Sequence, residues 1–120
     1  MKRKKQGQGG FTLIETLVSM VILSVALLGM SSMVFSVIRA TTQSKEMTAA
    51  TTLLQDKMEN LKNTGVSSLT SGNDSASLGN ITYLRQWVIN TAGNLKTISV
   101  TVNWTSRGAH GVSATTLRGE

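Results

Sequence analysis

"KRKKQGQGGFTLIETLVSM", residues 2–20, passes from four bases through a Gly-Gly pair into an apolar run that holds one carboxylate, Glu15. From Phe11 to Ile38 that acid is the only ionisable side chain. Read as a helix, these residues reach roughly 42 Å at about 1.5 Å each, enough to cross a hydrocarbon core of about 30 Å. A buried soluble helix would need wrapping on every side, and residues 39–120 are too polar to supply it. The segment therefore reads as a membrane-inserting helix. The chain has no proline, so no helix interior meets an obligatory break.

The flanks orient the span. Of 12 basic residues four are Lys2, Arg3, Lys4 and Lys5, and without them eight bases face six acids. The +6 formal charge is thus largely an N-terminal orientation signal, which places the N-terminus in the cytoplasm. A secretory signal peptide would carry its small-residue cut site after a short apolar core. Here Gly9-Gly10 precedes the core, and a cut after Gly10 leaves the hydrophobic helix on the product. Gly-Gly leaders of exported peptides lack both the basic start and the long span.

A lone carboxylate in hydrocarbon either protonates or finds a cation. No Lys, Arg or His lies near Glu15 within the span. A cut between Gly10 and Phe11 would create a cation, the α-ammonium of Phe11. It would stand four residues before Glu15, one helical turn away, or be offered by a neighbouring chain. The acid then acts as an assembly device, penalising the lone subunit and favouring bundled helices. A polar residue resting at the headgroup boundary is the plainer alternative.

"KKQGQGGFTLIETLVSMVILSVALLGM", residues 4–30, resembles the N-terminus of type IV prepilins and of type II secretion pseudopilins. The shared pattern is a basic leader, Gly10 before the cut, Phe11 as the new N-terminus and Glu15 five residues into the product. The resemblance implies cleavage by a prepilin peptidase, N-methylation of Phe11 by the same processing machinery, and lateral assembly with Glu15 paired to a neighbour's Phe11 amine. It also implies other pilin subunits, inner-membrane lipid and the inner-membrane pilus assembly proteins as partners. The expected route runs from the bacterial inner membrane to a pilus filament at the cell surface or in the periplasm. Many major pilins carry a proline within the span. Here Gly29 is the one weak point, costing up to about 1 kcal/mol in a helix.

Beyond Ile38 the pattern turns amphipathic. Met47, Ala50, Leu54, Met58 and Leu61 form a stripe at helical period, with charged and amide residues on the other faces. The expected organisation is a leader (1–10), a transmembrane and assembly helix (11–38), its amphipathic continuation (39–64), a Ser/Gly/Asn-rich loop (65–80) and an antiparallel sheet (81–120). Three strands are expected, at 81–90, 95–104 and 112–118. In the second, Ile98, Val100, Val102 and Trp104 alternate with polar residues. The fold class is thus α+β and pilin-like, one long N-terminal helix on a small three-stranded sheet. The small sheet and its "V-x-V-x-W" strand (Val100, Val102, Trp104) resemble PilV-type minor pilins and pseudopilins of the I type. The missing cysteines depart from the disulfide-bounded C-terminal loop of many major pilins and, with the small size, point to a low-copy minor subunit.

Catalysis has no foothold in this sequence. Zero cysteines exclude disulfides and thiolate chemistry. His110 sits alone in an expected turn, and no nucleophile–base pair, phosphate loop or metal cluster is present. No enzyme activity, metal or cofactor is expected. The functional reading is a minor type IV pilin, with a type II secretion minor pseudopilin as the alternative. A DNA-capturing competence pilin is the weaker reading, because Arg85, Lys96, Arg107 and Arg118 make only a thin patch.

Overall fold

The computed structural model describes residues 9–119 and divides into two compact units between Thr41 and Thr42. The basic leader residues Lys2–Lys5 lie outside the described residues. Helix α1 runs over Leu13–Asn63, 51 residues, followed by a 3₁₀ turn at Val66–Ser68. Four strands follow: β1 Gly72–Leu78, β2 Ile81–Ala92, β3 Leu95–Thr105 and β4 Ala109–Gly119. They form one antiparallel meander in the order β1-β2-β3-β4.

In the first unit the helix opens on a cap. The Glu15 N–H donates to Thr12 Oγ1 at 3.3 Å, satisfying one of the amides that every helix start leaves without an intrahelical partner. The hydroxyls of Ser19, Ser24, Ser31 and Ser36 each donate to the carbonyl four residues back, and Ser32 donates to Gly29 O. These bonds let a hydroxyl sit in an apolar run without an outside partner. The helix is long and apolar enough to cross a membrane, and none of its most apolar window is buried within the molecule.

The second unit is built on the stripe of α1. Ala50, Leu54, Met58 and Leu61 are buried against Tyr83, Ile98, Val100, Val102 and Trp104. Burying such a set is the main driving force for this unit, at about 1.5–3 kcal/mol per large apolar side chain. The head of the stripe differs from expectation. Met47 is 41% exposed and Glu46, one residue earlier, is 9% exposed in its place. Positions 46 and 47 both continue the helical period, and the indole of Trp104 decides between them, because its N–H needs an acceptor.

The sheet has four strands rather than three, and β1 lies inside the expected loop. Its sequence, GNDSASL, lacks apolar alternation because its covered positions are small or ion-paired. Gly72 lies opposite Trp87 and Asp74 opposite Arg85. An added Cβ at Gly72 would fall 2.8 Å from Trp87 Cζ2, so only glycine leaves the indole its place. Two-residue Gly-Asn turns join β1 to β2 and β2 to β3. Gly79 and Gly93 both take φ +61°, the left-handed value that a type II′ hairpin demands at its first central position.

Strand β4 extends back to Ala109, so His110 is a strand residue and not part of a turn. Its ring stacks on Trp104 with centroids 5.5 Å apart, and its Nε2 lies 3.1 Å from Ser106 O.

Candidate functional site

Two sets of residues bear on function: the N-terminal segment, and the polar groups that fasten the sheet. Gly10 and Phe11 precede the helix in uncovered chain without regular structure, with Phe11 84% exposed and nothing within 4 Å of Gly10's missing Cβ. A peptide bond so placed is open to an external enzyme. Glu15 lies in the first turn of α1, where a carboxylate is favoured by the helix dipole.

Thr12 and Glu15 have the T-x-x-E spacing of a capping box, a signal legible in the sequence that a reading centred on charge passes over. The helix begins at Leu13, which leaves Phe11 one residue outside the cap. The one-turn spacing expected between the Phe11 amine and Glu15 is therefore not set by helical backbone in the uncut chain.

Every hydroxyl in the apolar run has a partner within its own helix, whereas the Glu15 carboxylate has no hydrogen bond or ion pair among the described residues.

In the second unit the polar side chains act as fasteners. Asp74 accepts from Arg85 Nε at 2.6 Å and Nη2 at 2.8 Å, and from Lys57 Nζ at 3.3 Å. Burial pushes the Asp74 carboxyl upward, but the bonds and charges of Arg85 and Lys57 outweigh it and hold its pKa below the ordinary 3.8. The Lys57 ammonium also lies 3.5 Å from the centroid of the Trp87 ring, whose N–H donates to Thr70 O at 2.9 Å. Arg118 donates to Leu61 O, Lys62 O and Thr64 O, serving the carbonyls that the end of α1 leaves open. Lys96 donates to Val66 O in the 3₁₀ turn.

Glu46 accepts from Ser106 Oγ at 2.7 Å and from Trp104 Nε1 at 3.4 Å. Its charge adds to burial, the larger effect, in pushing the Tyr83 hydroxyl above its ordinary 10.0.

These contacts bear on nucleic-acid binding. Of the four bases that could have formed a patch, Arg85, Lys96 and Arg118 are spent on Asp74, the 3₁₀ turn and the end of α1. Arg107 alone stands exposed, in the β3–β4 turn at φ 52°. Arg85, Lys96 and Arg118 lie on the sheet face turned to α1, each engaged by a partner within the molecule. Among the described residues no three His, Asp or Glu side chains group to hold a metal ion.

Residues 5–31 match the family described as Prokaryotic N-terminal methylation motif, the stretch that contains Gly10, Phe11 and Glu15. A search of curated proteins returned no match, and neither did a search of solved structures. A methylation motif heading a long apolar helix, in a chain whose helix packs on an antiparallel sheet, is the arrangement of a pilin-like α+β protein. It supports a type IV pilin or pseudopilin, and with it a structural subunit rather than an enzyme.

Proposed function

We propose that the chain is a minor type IV pilin. It inserts in the bacterial inner membrane with its N-terminus in the cytoplasm, and prepilin peptidase cuts it between Gly10 and Phe11. Phe11 is then N-methylated and the helix joins a filament, at its tip or along it. The observation that carries this reading is the methylation motif at residues 5–31 on a helix whose most apolar window is left uncovered by the described residues.

The mechanism follows from the polar groups. An acid at mid-span costs about 2.5–3.5 kcal/mol on insertion scales, and less near the boundary. Processing turns the Phe11 nitrogen into an ammonium. When helices pack side by side, the ammonium of one chain meets the Glu15 carboxylate of the next. Both charges then lose their penalty at the moment of assembly, which makes the pairing a check on register.

The deciding measurement is the N-terminal mass of the protein recovered from cells. A start at Phe11 carrying one added methyl supports the reading, and filaments built from chains that keep their first ten residues overturn it. Glu15→Gln keeps an acceptor near the cap but removes the charge. It should be cut and inserted normally yet enter filaments poorly, and normal incorporation would refute the pairing.

A further inference from the structure

Strands β1–β4 contain four charged residues among those described: Asp74, Arg85, Lys96 and Arg118. All four share the parity of Tyr83, Ile98, Val100 and Val102, on the face turned to α1. The opposite face has none. This inverts the usual arrangement, in which a sheet covered on one side carries its charges on the open side.

At the centre of the open face, cross-strand pairing sets Asn73, Gln86, Thr101 and Ser113 in one row. Val88, Ser99 and Thr115 form the next, with Ser99 and Thr115 hydroxyls 3.1 Å apart. Leu84, Val88 and Leu117 are exposed among these hydroxyls and amides. In its lack of charge, with apolar groups interspersed, this face shares the charge depletion of an interface core.

We infer that this open face is a contact surface for a second copy of the chain, packed sheet to sheet. Two arguments select that occupant. Hydroxyl and amide groups donate and accept alike, so a face made of them is complementary to itself, whereas a face bearing one sign of charge repels its own copy. The size also suffices. Four strands about 4.8 Å apart and up to about 36 Å long offer roughly 650 Å² per copy, or about 1,300 Å² per pair, above the ~1,000 Å² that a specific interface needs. Two such sheets would lie about 10 Å apart, aligned within about 30°. The inference is independent of N-terminal processing, because it uses none of residues 1–41.

The natural absence of cysteine makes the test direct. Thr101→Cys is placed in the full chain in detergent micelles and treated with a short flexible bis-maleimide. Asp56→Cys, exposed on α1, serves as the control for association through the membrane helix. Thr101→Cys should give covalent dimer about tenfold above the control, and adding Ser99→Lys should abolish that excess by setting like charges face to face. Circular dichroism confirms that each variant keeps its sheet. Equal cross-linking of Thr101→Cys and Asp56→Cys overturns the inference. So does an excess that survives Ser99→Lys, or linkage to a different protein in place of a second copy.

Discussion

Gly72→Ala tests why an otherwise featureless stretch becomes strand β1. The new Cβ would lie 2.8 Å from Trp87 Cζ2 and 3.1 Å from Cε2, so the indole must move. It is held by the N–H bond to Thr70 O and by the Lys57 ammonium over its face. Losing the bond costs about 1 kcal/mol and losing the cation–π contact about 0.5–1 kcal/mol. Against this, alanine lowers the entropy of the unfolded chain, which returns about 0.4–1 kcal/mol. The net loss is about 1 kcal/mol, or roughly 4–8 °C in melting temperature for a unit of this size. The melt is followed by tryptophan fluorescence on the full chain in detergent. Trp87→Phe removes the atoms that the added methyl would strike, so in that background Gly72→Ala should cost nothing or stabilise slightly. Equal losses in the two backgrounds would show that the close approach of Gly72 to Trp87 is not what places β1.

Three further outcomes follow from the buried polar groups. Glu46→Leu leaves the Trp104 N–H and the Ser106 hydroxyl without their acceptor and should cost about 1–3 kcal/mol, whereas Glu46→Gln should cost less, as read by thermal melts. Asp74 has a depressed pKa in the folded state, so its contribution is present above the ordinary 3.8 and is lost as pH falls through the lower folded value. The advantage of the natural chain over Asp74→Asn should therefore vanish in acid; with 36% of that side chain exposed it stays within about 1 kcal/mol at neutral pH. Tyr83 is the one tyrosine, so ultraviolet titration reports it alone, and its midpoint should lie above 10.0. Its raised pKa means that stability holds below the unfolded value and falls as pH rises through the folded one; a midpoint at or below 10.0 would contradict the burial.

What the sequence made legible were the features repeated at a regular period. The apolar run and the stripe at Ala50, Leu54, Met58 and Leu61 announced the helix, and the alternation at Ile98–Trp104 announced the central strand. Strand β1 was hidden because its reasons lie in β2. Gly72 and Asp74 matter only once Trp87 and Arg85 stand opposite them, and a loop composition conceals that pairing. Glu46 was hidden for a similar reason, since an acid on an amphipathic helix reads as solvated until an indole 58 residues later claims it. The motif around Gly10, Phe11 and Glu15 is legible as chemistry, whereas the cap at Thr12 concerns backbone amides and leaves no mark on charge.

That cap sharpens the question of what Glu15 is for. A threonine at the helix start with an acid three residues on is enough to explain a carboxylate in the first turn of many helices. Here it is not enough. The bond in the structure runs from the Glu15 amide to the Thr12 hydroxyl, and glutamine, serine or alanine at position 15 would supply that amide equally well. The carboxylate itself is left over. In a run where Ser19, Ser24, Ser31, Ser32 and Ser36 each satisfy their hydroxyls inside the helix, it is the one polar side chain whose needs the helix does not meet. Local structure thus accounts for the backbone at position 15 and, through the helix dipole, favours an acid there. It gives the carboxylate no hydrogen bond or ion pair among the described residues, which is why the proposed function looks for its cation on a neighbouring chain.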